Sequence, residues 1–240
     1  MNHRLLVLPP LVVLLVVLAS GNLGVRTATG FQRVSRAAVS GTAYAALGAS
    51  ETYGVGAHPR TSAYPFLLAH WLGANRFADL GMSGATLPRA YMIELSRALA
   101  IRPTLCTLAF GSNDIARGVP LTEFLTDLRT LAGALRRSGA RVLIVGLPDL
   151  SLLPRRQRQH IPNLARLSAT WNTGMQSVAR ETGSSFLDSE RFDSELKRRP
   201  NLISSDGIHP TNAGHYYIAE ILLAEIRKDH LWTRPHRVGT

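Results

Sequence analysis

The chain has 240 residues, of which 45% are hydrophobic and 18% are charged, a composition that excludes a disordered protein and fits one globular domain with a terminal extension. Its single cysteine, Cys106, excludes an intrachain disulfide and a cysteine-based zinc site, and its apolar neighbours predict a buried side chain. The formal net charge is +11, but the basic residues form only small clusters, such as Arg155, Arg156 and Arg158, without an interleaved aromatic stripe. We interpret these clusters as a solvated basic surface and expect no nucleic-acid partner.

Residues 1–20 have the pattern of an export signal. A short, positively charged start is followed by an uncharged apolar run from Leu5 to Ala19. Such a run suits the core of a signal peptide better than a membrane span, which needs about 20 residues. An uncleaved anchor, associated with the membrane through residues 5–19, remains the alternative. Both predict an exported protein, either extracellular or attached to the outer face of the cell membrane, and polar residues 21–40 predict a linker.

From residue 41 onward, apolar runs alternate with longer segments of helical periodicity. Strands are predicted near residues 43–48, 77–81, 104–110, 141–147 and 184–188, and helices over 62–73, 88–99, 121–138, 161–182 and 211–229. This alternation predicts a three-layer α/β/α fold with a central, mostly parallel five-stranded sheet. We expect one domain over residues 41–230, followed by a C-terminal tail over 231–240.

Four polar stretches that contain glycine lie in loops of this pattern, three of them directly after predicted strands. Ligands bind at the carboxyl edge of open parallel sheets, so we expect the four stretches to meet there. They are Gly-Ala-Ser at 48–50, Asp-Leu-Gly-Met-Ser-Gly-Ala-Thr at 79–86, Gly-Ser-Asn-Asp at 111–114, and Ser-Asp-Gly-Ile-His-Pro-Thr at 205–211.

In this order and spacing, the stretches resemble the sequence blocks of the SGNH hydrolases, also called the GDSL esterase/lipase family. The stretches at 111–114 and 205–211 carry most of the resemblance, which covers about residues 42–229. It implies the flavodoxin-like fold of that family and the activity of a carboxylic ester hydrolase.

The resemblance also assigns roles to five residues. It implies that Ser50 is the nucleophile and that Asp206 and His209 complete a catalytic triad. It further implies an oxyanion hole formed by the backbone N–H groups of Ser50 and Gly84 and by the side-chain amide of Asn113. These residue types suit the reaction, because a serine hydroxyl needs a base, histidine titrates near neutrality, and a carboxylate can fix the imidazole tautomer.

One position departs from the family pattern. Ala49 stands where the family usually has an aspartate before the nucleophile. In the family that aspartate supports the local turn and is not a member of the triad. Its absence therefore affects the expected rigidity of the turn more than the chemistry.

The sequence predicts an exported serine esterase that forms an acyl-enzyme and acts on short-chain acyl or acetyl esters. Its substrate would be a small-molecule, lipid or glycan ester, and no cofactor is expected. Two alternatives stay open: an acyl or acetyl transferase acting on envelope glycans, and a non-catalytic envelope binding module, which only Ala49 favours. Neither a Gly-x-Ser-x-Gly elbow nor a nucleotide-binding motif is present.

Other polar residues are weaker candidates for function. Asp114, Asp206, His209 and His215 lack a known ligand spacing, so we expect no metal site. We expect His215 to be structural or on the surface, whereas His58 follows a glycine-rich loop near Ser50 and is a minor candidate for lining the pocket. For the segment from Asp149 to Pro162 we favour a surface loop, with an apolar wall formed by Leu150, Leu152 and Leu153 as the alternative.

Overall fold

The computed structural model describes residues 41–157 and 159–233. The predictions for residues 1–20 and 21–40, and for most of the tail at 231–240, lie outside these described residues. None of the helices within the described ranges is long and apolar enough to cross a membrane.

A sheet of five parallel strands forms the centre of the fold. The strands are β1 (Ala43–Gly48), β2 (Arg76–Asp79), β3 (Leu105–Ala109), β4 (Arg141–Val145) and β5 (Ser185–Leu187). They lie in the order β2-β1-β3-β4-β5, and every neighbouring pair is parallel. The predicted α/β fold is confirmed, with a sheet that is parallel throughout. Strand β1 is buried along its whole length, as expected for a central strand covered by helices on both faces.

Within the described ranges, five α-helices confirm the predicted helical segments, and four others were not predicted. In chain order the helices are α1 (Ser50–Tyr53), α2 (Tyr64–Leu72), α3 (Leu87–Ala100), α4 (Ser112–Ala116), α5 (Leu121–Arg137), α6 (Pro154–Gln157), α7 (Leu164–Thr182), α8 (Glu190–Arg198) and α9 (Asn212–Lys228). Helices α1, α4 and α6 are too short to show a helical period. The sequence of helix α8 is mostly polar, and the helix buries only Phe192 and Leu196, so it shows little apolar periodicity.

The helices form two layers around the sheet. Helix α2 packs against α9, while α3 packs against α5 and α5 packs against α7. Cys106 lies on β3 and is fully buried, which confirms its predicted place in the core.

The strand order determines where a ligand can bind. The chain leaves β1 toward β2 on one side and later passes to β3 on the other, which creates a topological switch point. A crevice forms outside the carboxyl ends of the strands at such a point. Ser50 directly follows β1 and Asn113 follows β3, so the fold brings two predicted site residues to this crevice.

Candidate active site

Ser50 is the first residue of α1 and follows a turn that is held from several sides. The Gly48 N–H donates to Glu94 Oε2 (2.8 Å), and the Ala49 N–H donates to the Ala109 carbonyl at the end of β3 (3.3 Å). A Cβ on Gly48 would lie 2.2 Å from Thr52 Oγ1, so only glycine fits there. The side chain of Ser50 is nearly buried, and its position is therefore closely defined.

The hydroxyl of Ser50 points to a neighbouring carboxylate. It donates to Glu51 Oε2 at 3.3 Å. Among the described residues, no hydrogen bond joins Ser50 to His209. In this structure the Ser50 hydroxyl is therefore directed to Glu51.

Asp206 and His209 form a hydrogen-bonded pair within one turn. Asp206 Oδ2 lies 2.5 Å from His209 Nδ1, while Asp206 Oδ1 accepts the backbone N–H groups of Ile208 (2.9 Å) and His209 (3.0 Å) and the Ser204 hydroxyl (2.8 Å). Burial alone would raise the pKa of Asp206, but these donors outweigh it and hold the pKa well below its usual range. An ionised Asp206 can only accept, so Nδ1 carries a proton, and in the neutral ring Nε2 then keeps its lone pair. This is the tautomer of a general base.

The loop after α1 packs directly on the turn that carries His209. The Val55 N–H donates to the Ser50 carbonyl (2.9 Å), and Gly56 follows immediately. A Cβ on Gly56 would lie 2.1 Å from the Pro210 carbonyl oxygen and 3.5 Å from His209 Cβ. Ser50 and His209 therefore lie on adjoining segments of the same corner of the molecule.

The two other histidines near this corner have structural roles. His215 Nε2 donates to the Val55 carbonyl (3.0 Å), and its Nδ1 accepts the Tyr64 N–H (3.4 Å). Burial lowers the pKa of His215, which keeps it neutral. The exposed His58 contacts Asn212 through its backbone. The structural role predicted for His215 is confirmed, and these contacts give His58 no part in the pocket.

The predicted oxyanion donors Gly84 and Asn113 lie side by side. Asn113 Nδ2 donates to the carbonyl of Ala85 (3.1 Å), the residue after Gly84. Arg117 Nη2 donates a hydrogen bond to the Gly84 carbonyl (3.0 Å). The same loop reaches the turn before Ser50, because the Met82 N–H donates to the Gly48 carbonyl (2.9 Å).

Asp114 joins the loops that carry these donors. Its Oδ2 accepts the Gly111 N–H (3.1 Å) within its own loop, and its Oδ1 accepts the Leu87 N–H (2.8 Å) at the start of α3. The side chain is fully buried, and burial raises its pKa to about 6. Asp114 thus fixes the spacing between Asn113 and the segment of Gly84.

Glu94 supports the turn before Ser50, a contact that the sequence did not predict. It lies on the buried face of α3 with Leu87, Ala90 and Ala98, and its carboxyl group accepts the Gly48 N–H beneath the turn before Ser50. An acidic residue on an otherwise apolar helix face was the available signal. Burial raises the pKa of Glu94 to about 9, so the buried carboxyl group is neutral near pH 7.

We expect the Glu94→Gln variant to be more stable than the wild type at pH 8. The folded protein keeps the Glu94 proton up to about pH 9, whereas an unfolded chain releases it near the ordinary pKa of 4.5. The folded state then binds more protons across this window, so stability falls as the pH rises through it. Glutamine keeps an oxygen for the Gly48 N–H and does not titrate.

The measurement is Tm between pH 5 and pH 8, with the exposed Glu220→Gln as the control on α9. The difference between Glu94→Gln and wild type should grow toward pH 8. Tm values that change in parallel at every pH would contradict a buried, neutral Glu94.

Arg156 and its loop correct the expectation of a solvated basic cluster. Arg156 is only 4% exposed, and its guanidinium contacts Ser112 and Asn113. The segment from Asp149 to Pro162 also buries Leu150 and Leu153. The favoured prediction of a surface loop was therefore wrong for these side chains, and the apolar-wall alternative describes Leu150 and Leu153 better because both pack inward.

An apolar cavity of about 120 Å³ lies beside the segments that carry Ser50 and Asn113. Its lining includes Ala49 and Glu51, which flank Ser50 in the sequence, and Ser112, which precedes Asn113. The apolar walls come from Val145, Leu147, Leu153, Phe192, Ile208 and Ile221.

The described residues hold no group of three or more histidine, cysteine, aspartate and glutamate side chains that could bind a metal ion. The polar side chains at this corner include Ser50, the Asp206–His209 pair and Asn113.

Comparison with known proteins identifies the family. The sequence pattern of the GDSL-like lipase/acylhydrolase family matches residues 46–217. The chain belongs to this family. The match spans the strands and loops that carry Ser50, Gly84, Asn113, Asp206 and His209, so this acylhydrolase has its candidate site within the family domain.

Several solved structures share the fold of this acylhydrolase. The acetylxylan esterase Axe2 from Geobacillus stearothermophilus, as a catalytic mutant, is 22% identical with a TM-score of 0.65, covering 78% of this chain and 94% of its own. The psychrotrophic esterase EstA from Pseudoalteromonas sp. is 18% identical with a TM-score of 0.64, covering 79% and 98%. TesA is 22% identical with a TM-score of 0.63, covering 78% and 99%. No curated protein sequence matched the chain.

Proposed function

We propose that this acylhydrolase is an exported serine esterase that cleaves short-chain carboxylic esters, with Ser50 as the nucleophile and His209 as the base. The observation that carries this proposal is the Asp206–His209 pair, which leaves Nε2 free on a turn packed against the Ser50 segment. Support also comes from Axe2, of which a histidine-to-alanine and a serine-to-alanine variant are both described as catalytic mutants.

The reaction begins when the Ser50 side chain turns from Glu51 toward His209. Nε2 takes the hydroxyl proton while Oγ attacks the ester carbonyl carbon, and the resulting oxyanion accepts hydrogen bonds from the N–H groups of Ser50 and Gly84 and from the Asn113 amide. His209 then gives its proton to the leaving alcohol, and an acyl-enzyme remains. Water, deprotonated by His209, attacks this ester, and the acid is released as Ser50 regains its proton.

The apolar cavity sets the size of the acyl group in this proposal. A cavity of about 150 Å³ lined by aliphatic and aromatic side chains holds a benzene-sized group. The cavity beside Ser50 is slightly smaller, at about 120 Å³. An acyl chain of about four to six carbons would fill it, and a longer chain would have to leave it.

A series of p-nitrophenyl esters tests both the reaction and the acyl size. We expect kcat/KM to rise from the acetate to the butanoate or hexanoate, by up to about fourfold per methylene group, and to fall for the dodecanoate. The Ile221→Phe variant narrows the cavity and should reduce kcat/KM for the hexanoate more than for the acetate. Leu223→Phe also places a phenylalanine on this helix, but away from the cavity lining. It should leave the ratio of kcat/KM for the hexanoate to that for the acetate unchanged.

The outcomes separate the two parts of the proposal. Hydrolysis with a maximum at the dodecanoate would contradict the acyl size but not the esterase. No hydrolysis of any ester by folded protein would contradict the esterase. Transfer of the acyl group to an added sugar in place of water would support the transferase alternative.

Export remains a prediction from residues 1–20, which lie outside the described residues. Cell fractionation tests it, since an exported protein is recovered outside the cytoplasm and a cytoplasmic protein would contradict it.

A further inference from the structure

The guanidinium of Arg156 contacts the loop that carries the Asn113 amide. Its Nη2 donates to Ser112 Oγ (2.9 Å) and to Asn113 Oδ1 (3.2 Å). Its Nη1 donates to Gln159 Oε1 (2.8 Å). Arg156 lies on the short helix α6 after β4, so it reaches α4 from a separate part of the chain.

These contacts determine which way the Asn113 amide faces. A guanidinium has only donors, so the amide atom that faces Arg156 must be the oxygen. The Ala85 carbonyl can only accept, so the atom facing it, at 3.1 Å, must be the amide nitrogen. The two partners therefore select the same amide orientation independently.

The orientation has a direct consequence for the oxyanion hole. A side-chain amide has two N–H donors, and Ala85 uses one of them. The second remains for a substrate oxyanion only while Oδ1 stays on Arg156. If the amide flipped by 180°, it would present an oxygen in place of a donor, and that oxygen would repel the developing negative charge.

Burial makes Arg156 a firm support for this amide. The residue is only 4% exposed, so its side chain is restricted to few rotamers. Burial lowers the pKa of Arg156, but the Glu51 carboxylate beside Ser50 partly opposes this effect, and the guanidinium stays charged. A charged donor forms stronger hydrogen bonds than a neutral one.

We propose that Arg156 is a positioning residue for ester hydrolysis, which fixes the Asn113 amide so that an N–H group faces the oxyanion. This inference rests on the function proposed above, because it requires Asn113 to act as an oxyanion donor. Arg156 does not contact the reacting atoms and acts through Asn113.

A double-mutant cycle between Arg156 and Asn113 tests this role. Asn113→Ala removes a donor and should reduce kcat by about 10²- to 10³-fold. Arg156→Met should reduce kcat by about tenfold or more, because the donor is still present but no longer oriented. In the Asn113→Ala background, Arg156→Met should reduce kcat by less than about twofold further, since the group it positions is gone. KM should change little in each case, because the amide acts on the transition state.

Two further variants keep the test decisive. Arg155→Met removes the same charge from the adjacent, exposed residue and should leave kcat unchanged. Arg156→Lys keeps the buried charge without the planar fork and should give a kcat between those of wild type and Arg156→Met. Circular dichroism and Tm establish that each variant is folded.

Three results would overturn the inference or its basis. An unchanged kcat in folded Arg156→Met or Arg156→Lys protein would contradict the positioning role. Equal losses from Arg156→Met in both backgrounds would indicate a general structural effect. If Asn113→Ala itself kept full kcat, the oxyanion role in the proposed function would be wrong, which is distinguishable from failure of the Arg156 role alone.

Discussion

The Ser50→Ala and His209→Ala variants are each expected to reduce kcat for p-nitrophenyl butanoate by roughly 10⁴- to 10⁶-fold. Alanine at position 50 removes the atom that forms the acyl-enzyme. Alanine at position 209 leaves the serine hydroxyl without the base of the proposed mechanism. The double variant should be about as inactive as either single one, because the two side chains act as a unit.

The controls for these variants come from the same loops. Ser83→Ala removes an exposed hydroxyl from the loop that carries Gly84, and His58→Ala removes an exposed imidazole from the loop after α1. Both should keep wild-type kcat. If His209→Ala retained most of the activity while Ser50→Ala lost it, a base other than His209, with Glu51 as the nearest candidate, would have to be considered.

The second large effect is expected from Asp206→Asn, with a loss in kcat of about 10³- to 10⁴-fold in folded protein. The asparagine oxygen can still accept the N–H groups of Ile208 and His209, so the turn should keep its shape. Its NH₂ group would replace Oδ2 opposite Nδ1, 2.5 Å away in the wild type. An imidazole that faces a donor must accept at Nδ1 and carry its proton on Nε2, and it then cannot take the proton of Ser50.

The pH dependence of the wild type should agree with this role of Asp206. The donors around Asp206 outweigh burial and hold its pKa well below the usual range, so the carboxylate stays ionised across the pH range of an ester assay. Any loss of kcat/KM between pH 5 and pH 8 must then come from another group.

The matched control for Asp206→Asn is Asp188→Asn, which changes an exposed carboxylate after β5 and should keep full activity. A loss of less than about tenfold in folded Asp206→Asn protein would contradict its tautomer-fixing role.

The parts of the structure that the sequence predicted are those with a local pattern. The strand β1 is a short apolar run before a glycine, and α5 shows a clear apolar period with arginines in its last turn. The turn from Asp206 to His209 is also local. The Asp206 carboxylate contacts both the backbone N–H and the imidazole of His209, three residues further along the chain. Such features depend on neighbours in the sequence, so they can be recognised without the fold.

The features that the sequence analysis missed depend on contacts between distant segments. Glu94 reaches Gly48 over 46 residues, and Arg156 reaches Asn113 over 43 residues. In the sequence, Arg156 lies among other arginines and therefore resembles part of a solvated surface cluster. In the structure, Leu150 and Leu153 of the same segment are buried, and so is Arg156. Long-range partners of this kind follow from the tertiary structure and not from spacing along the chain.

The departure at Ala49 also has a clearer meaning in the structure. The Ala49 side chain is nearly buried and contributes to the lining of the apolar cavity, and the Glu94 carboxyl group holds the adjacent Gly48 N–H from below. The turn therefore has a support other than an aspartate at position 49. An apolar side chain at that position extends the apolar surface that the proposed acyl chain would contact.

Labelling with a fluorophosphonate probe tests the central claim most directly, because the probe reacts covalently with an activated serine and needs no knowledge of the substrate. Intact-mass analysis of wild-type protein should show one added probe molecule, peptide mapping should place it on Ser50, and Asp206→Asn and His209→Ala should be labelled far more slowly. Folded wild-type protein that stays unlabelled, or that is labelled at a serine other than Ser50, would contradict the assignment of Ser50 as the nucleophile.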